Sequence, residues 1–187
     1  MIPVKLLLLK NYMIKTERLT LRLWTMKDLD SLLKYGNNLN IAKNMRDRFP
    51  HPYTRKAAIE FIEQFGKEKH AEVFAIDFNG EAIGAAGIFP MEDVYNKNAE
   101  FGYWIGEPFW NKGFGTEAAR AIIEYGFKTF SIERIYASVF SGNDASKKIM
   151  TKLGLKHEAT FHHSVFKFGE FRDEDFYVVW RNEWKME

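Results

Sequence analysis

Leu19, Leu21 and Leu23 alternate with polar residues in Ile14–Leu23. A period of two predicts a strand with one buried face. Thr25-Met26-Lys27-Asp28 reads as a capping box with Asp in place of Glu. The helix after it carries Leu29, Leu32 and Leu33 on one stripe and ends at Gly36-Asn37. Ile41–Tyr53 has no period and holds Arg46, Arg48, His51 and two prolines. Thr54 then caps a helix whose inner stripe is Ala58, Phe61, Ile62 and Phe65. Val73–Phe78 and Glu81–Phe89 read as strands joined by Asn79-Gly80, a pair that tolerates positive φ at both turn positions. The glycines and alanines at 84–87 point to close backbone approach.

A polar loop, Met91–Asn98, leads to the alternating run Ala99–Gly106, a further strand. On it Glu100, Gly102 and Trp104 share one face, and Phe101, Tyr103 and Ile105 the other. Thr116–Phe130 reads as a helix capped by Thr116, with Glu133–Val139 a strand beyond it. Asn143–Leu153 is a helix ended by Gly154, and Leu155–Phe168 and Asp175–Trp184 form a closing strand pair around Gly169. The expected order is β-α-α-β-β-β-α-β-α-β-β: an α/β fold with one central, mixed, mostly antiparallel sheet flanked by helices.

Between strand and helix lies Trp110-Asn111-Lys112-Gly113-Phe114-Gly115-Thr116-Glu117-Ala118. The first amides of a helix lack internal partners, and the helix dipole adds positive potential there. A strand, a glycine loop and a helix start therefore form an anion site. Gly113 and Gly115 let the backbone take positive φ and approach a ligand. Lys112 can add charge, or be a solvated loop lysine.

Composition narrows the options. A chain of 187 residues suits one domain, expected over 13–187, with residues 1–12 an extension and Met13 an alternative start. The apolar run Leu6-Leu7-Leu8-Leu9 is too short to span a bilayer, and no cleavage site follows it. A net charge of +2 gives no case for nucleic acid. The absence of cysteine excludes disulfides, Cys-ligated zinc and a thiol nucleophile, and fits a cytoplasmic protein. His157, His162 and His163 lack the acidic spacing of a metal site, so no metal is expected. Nothing separates a monomer from a homodimer.

Two stretches, Gly106–Ala118 and Asn143–Leu155, together resemble the GCN5-related N-acetyltransferase (GNAT) superfamily, and Thr16–Arg22 resembles the opening strand of its RimJ/RimL-like branch. The resemblance implies an acetyl-CoA-dependent N-acetyltransferase acting on a primary amine, either a protein N-terminus or a small molecule. It further implies that Lys112, Gly113, Phe114, Gly115 and Thr116 cradle the pyrophosphate. Asn143 and Ser146 would lie beside pantetheine, and the backbone of Tyr103, Trp104 and Ile105 would hold the cofactor where two strands splay. The family's loop starts with Gln or Arg where this chain has Trp110. Its proton-donating Tyr falls at Met150, so Ser146 is the substitute acid.

Several residues keep two readings. Glu100 is an exposed strand glutamate or the base that draws a proton from the amine. Asn143 is a helix cap, a cofactor contact or both. Ser146 is capping support or the acid. Tyr103 and Trp104 are core or cleft wall. Arg46, Arg48, His51 and Tyr53 select the acceptor or form a plain surface loop. Two rivals remain: a non-catalytic acetyl-CoA-binding module, motivated by Met150, and a dinucleotide fold, since Gly113–Ala118 matches G-x-G-x-x-A and Glu133 lies near the acidic spacing.

Overall fold

A computed structural model describes residues 13–67 and 72–185, so the predicted extension at 1–12 lies outside the described residues. Eight strands form one sheet in the order β1-β2-β3-β4-β5-β6-β8-β7. They are β1 (Met13–Lys15), β2 (Thr20–Arg22), β3 (Val73–Phe78), β4 (Glu81–Pro90), β5 (Asn98–Ile105), β6 (Arg134–Phe140), β7 (Lys156–Lys167) and β8 (Glu170–Trp180). All neighbours are antiparallel except β5 and β6. The helices are α1 (Leu29–Gly36), α2 (Leu39–Ala42), α3 (Arg55–Phe65), α4 (Phe114–Thr129) and α5 (Asp144–Lys152).

Most predicted elements stand, and four details differ. The last strand, expected over Asp175–Trp184, runs from Glu170 to Trp180, because the positive-φ turn at Phe168-Gly169 lets pairing begin at once with Lys167 opposite Glu170. Ile14–Leu23 folds as a two-strand hairpin, because the Thr16 amide donates to the Leu19 carbonyl at 3.0 Å and the Thr16 Oγ1 accepts from the Leu19 amide at 2.9 Å. A side chain that binds backbone locally closes a turn where alternation alone reads as continuous strand. The short helix α2 runs into the start of the segment expected to be irregular, and Asn38 caps it by accepting from the Asn40 amide at 2.8 Å. Helix α4 begins two residues before its predicted cap.

The Thr25–Asp28 box forms, with the buried Asp28 carboxylate accepting from the Thr25 amide at 2.8 Å. Burial alone would raise the Asp28 pKa, but the Arg22 guanidinium holds it below the usual range.

Two cores lie on opposite faces of the sheet. On one, Phe101 and Ile105 pack with Ala118, Ile122 and Ile123 of α4 and Met150 of α5. On the other, Trp104 packs with Leu32 of α1, Ile62 of α3, Phe49 and Tyr53. The alternation of β5 thus divides the molecule as its sequence predicts.

Candidate active site

The site begins where β5 and β6 part. Their parallel pairing covers Asn98↔Arg134, Ala99↔Ile135 and Glu100↔Tyr136 and stops there. Each strand then runs on, β5 along β4 and β6 along β8. A wedge opens between them.

The ladder shows which backbone groups face it. The Gly106 amide donates to the Ile83 carbonyl, so even-numbered β5 residues bond β4. Tyr103 and Ile105 turn their amides and carbonyls toward the wedge, and the Phe101 amide closes the last rung to β6. Trp104 differs from the other two predicted backbone contacts: its main chain serves β4, and its side chain is buried edge-on to Phe49 at 5.6 Å. Its carbonyl also explains Gly84, where a Cβ would lie 2.1 Å from that oxygen.

The glycine loop closes one end of the wedge. Gly113, at φ +82°, caps α4, and the Glu117 amide bonds its carbonyl at 3.1 Å. Thr116 is therefore inside the first turn and is not the cap. The helix starts earlier because Gly113 reaches the left-handed conformation without a side-chain cap. The amides of Phe114, Gly115 and Thr116 are left without helical partners and form an anion site. The Phe114 side chain is core, 4.7 Å from the Phe78 ring. Gly115 is needed for packing, since a Cβ would lie 3.0 Å from Ile149 Cδ1 and 3.3 Å from Tyr103 Cε2. Lys112 is exposed, with its ammonium 5.5 Å from the Phe109 ring centre.

Sequence reasoning missed the brace behind this loop. Glu117 accepts from Thr16 Oγ1 at 2.6 Å and from the Arg18 amide and Nε at 2.8 Å each. Arg18 Nη1 also donates to the Lys112 carbonyl at 2.8 Å, and its guanidinium lies over the Phe114 ring. Burial alone would raise the Glu117 pKa, but these donors lower it. The Thr16–Arg22 resemblance was the available signal. Trp110, where the family has Gln or Arg, donates from Nε1 to the wedge-facing Ile105 carbonyl at 2.6 Å. It ties the loop to the strand.

At the opposite wall, Asn143 caps α5 by accepting from the Ser146 amide at 3.3 Å. The Ser146 hydroxyl lies 3.3 Å from the Tyr103 phenol. Burial pushes the Tyr103 pKa up to about 12, against the Ser146 hydrogen bond, so the phenol holds its proton at neutral pH. Met150 is 1% exposed and belongs to the core. A proton donor at that position would be buried, whereas the Tyr103–Ser146 pair brings its hydroxyls to the site from β5 and from the first turn of α5.

Glu100 lies on the other face, where β5 and β6 separate. Its side chain is 19% exposed and accepts twice from Arg46, at 3.0 and 2.5 Å. Arg46 Nη2 also lies 3.4 Å from Ser138 Oγ on β6. Arg46 therefore joins Glu100, whereas Tyr53 is buried against Phe49 and Arg48 sits 5.3 Å over the Phe89 ring. Tyr136 stacks on Phe176 at 5.8 Å beside this pair, its pKa raised by burial and by the Glu100 charge.

His157 and His162 bond Asp175 and Asp173. No group of three or more metal-ligating side chains occurs among the described residues. No described helix is long and apolar enough to cross a membrane. Glu133 lies 3.5 Å from Arg181 and far in role from a ribose ligand, since the sheet upstream is antiparallel.

A family model described as an acetyltransferase (GNAT) domain matches residues 18–156. The chain belongs to the GNAT family of acetyltransferases. It is 30% identical over 171 residues to an N-acetyltransferase, YnaD, of Bacillus subtilis, covering 91% of this chain and 98% of that one. It is 28% identical over 159 residues to the spermidine N(1)-acetyltransferase of Escherichia coli, covering 83% and 84%. The solved structure of RimL, the ribosomal L7/L12 α-N-protein acetyltransferase in complex with coenzyme A, superposes with a TM-score of 0.78 at 18% identity, covering 90% and 97%. Membership makes this protein an N-acetyltransferase, with the fold of the RimJ/RimL-like branch.

Proposed function

We infer that the protein transfers the acetyl group of acetyl-CoA directly to a primary amine in a ternary complex. The observation that carries this is the wedge itself. It presents the strand backbone of Tyr103 and the Ile105 amide between the α4 amides on one side and Glu100 on the other. The residues suit the donor: amides of Phe114, Gly115 and Thr116 for pyrophosphate, Asn143 beside pantetheine, and the Tyr103 and Ile105 backbone for the acyl end. No cysteine is present to carry the acetyl group between two half-reactions.

The atoms balance as follows. The neutral amine attacks the thioester carbon, an N–C bond forms, and the C–S bond breaks. Wedge-facing amides of β5 stabilise the oxygen that gains charge. Glu100 takes the proton released by the amine, and the departing thiolate takes one from the Ser146–Tyr103 pair. The spermidine and ribosomal-protein relatives both support an amine acceptor. A cytoplasmic location is compatible with the cysteine-free sequence.

Release of CoA thiol from acetyl-CoA, dependent on added amine, tests this function. The buried Met150 favours a second reading, a non-catalytic acetyl-CoA-binding module. Binding without CoA release from any amine would establish that one.

A further inference from the structure

Arg46 comes from a segment with no regular structure, yet it is held firmly. The hairpin of β7 and β8 grips the segment at both flanks. The buried Lys167 ammonium lies 2.6 Å from Asp47 Oδ1, and Arg172 Nη1 donates to the Lys43 carbonyl at 3.1 Å. Phe49, three residues on, is buried and bonds back to the Arg46 carbonyl at 2.9 Å. The guanidinium so placed spans the wedge. It reaches Glu100, the last β5 residue paired to β6, and Ser138, two residues past the separation on β6.

On the proposed function, Glu100 receives the amine. A plain cationic amine arriving there meets the Arg46 charge at close range. It must also separate Glu100 from Arg46 and leave that guanidinium without its carboxylate. An acceptor with its own carboxylate meets neither obstacle. Its anion takes over Arg46 while its amine takes Glu100. The resident ion pair is then an internal stand-in for a zwitterion. Because the two protein groups touch, the acceptor's two charges must lie within a few bonds of each other. A bidentate guanidinium matches a carboxylate in shape as well as charge.

We propose that Arg46 is the specificity-determining residue of the acceptor site, and that the acceptor is an amine bearing a carboxylate a few bonds away. A free amino acid and the acidic first residue of a peptide share this chemistry. The proposal rests on the acetyl-transfer reading and adds the acceptor class to it.

The test measures CoA release with amino acids, each beside its amide, with peptides beginning Asp beside those beginning Asn, and with spermidine. The wild type should prefer the carboxylate member of at least one pair by about tenfold or more in kcat/KM. The pair that shows it separates a free amino acid from a peptide. Arg46→Ala should level acid and amide while keeping its acetyl-CoA melting shift, which shows that it folds. Arg46→Lys should restore part of the preference, because the charge returns without the fork. With CoA bound, the N-acetylated acid should raise the melting temperature of the wild type more than that of Arg46→Ala, a readout independent of turnover. Equal rates for acids and amides, a preference for spermidine, or equal losses on both members in Arg46→Ala would overturn the proposal and leave acetyl transfer standing. Acetyl-CoA binding with no CoA release from any amine would overturn both.

Discussion

Two carboxylates flank the wedge, and they are held in opposite ways. Glu117, behind the glycine loop, is 14% exposed and accepts from Thr16 and from both the backbone and the guanidinium of Arg18. Glu100, at the other mouth, is exposed to a similar degree, but among the described residues its carboxylate accepts from the Arg46 side chain alone. The first arrangement is scaffolding. A backbone amide is among its donors, so the carboxylate and the loop beside it keep their positions whether or not a ligand is present. The second can be exchanged, because its one partner is within reach of whatever enters the wedge. On the proposed function, one sheet carries a rigid end for a constant co-substrate and an exchangeable end for the acceptor.

Breaking the rigid end should have the largest effect. Gly113→Val places a β-branched residue at φ +82°, with its Cβ 3.1 Å from Arg18 Nη2. The strain is about 1–3 kcal/mol before any repacking. Isothermal titration should show acetyl-CoA affinity reduced by about a hundredfold or lost. Wild-type affinity in this variant would remove the loop from the binding site.

Breaking the exchangeable end should leave binding intact. Glu100→Gln keeps the shape but cannot accept the amine proton, so turnover should fall by about a hundredfold or more. The acetyl-CoA melting shift should stay unchanged. An unaltered rate across pH would exclude Glu100 as the base.

Glu117→Ala sharpens the contrast through stability. It removes the acceptor shared by the Thr16 hydroxyl, the Arg18 amide and the 41% exposed Arg18 guanidinium, and the three losses together cost about 2–3 kcal/mol in urea unfolding. A change below about 0.5 kcal/mol would mean that the brace is incidental.

A smaller effect comes from behind α5. Burial alone would raise the Asp175 pKa, but Lys147 at 2.5 Å, Thr160 and His157 outweigh it and hold it at about 2. A carboxylate depressed in the folded state stabilises above its unfolded pKa, and that stabilisation is lost as pH falls through the folded value. The contribution is about 2 kcal/mol. The stability difference between wild type and Asp175→Asn should be full above pH ~4 and mostly gone near pH ~2. A difference independent of pH over that window would contradict the assignment.

The two ends also differed in how far the sequence revealed them. The glycine loop is contiguous, and Gly113 declares its conformation by having no side chain, so strand, loop and helix were readable. Only the cap was misplaced, because Gly113 and Thr116 both suit a helix start. The alternation of β5 correctly divided Phe101, Tyr103 and Ile105 from Trp104, because each face has its own core. The braces were not readable. Arg18 meets Glu117 across 99 residues, and Arg46 meets Glu100 across 54. No local period links charges brought together by sheet order. The Tyr103–Ser146 contact was hidden for the same reason, being made by a strand and a helix 43 residues apart.

The central claim is that the amides at the start of α4 hold acetyl-CoA in the wedge. The most direct measurement is a thermal melt of wild type and Gly113→Val with and without acetyl-CoA, with NADH in parallel. At a ligand concentration about 100 times the dissociation constant, binding adds about 2.7 kcal/mol. For a chain of this size that raises the melting temperature by about 5–11 °C. This rise is expected for the wild type with acetyl-CoA, with its loss in Gly113→Val and no rise with NADH. A rise of equal size in Gly113→Val, or a rise with NADH in place of acetyl-CoA, would contradict it.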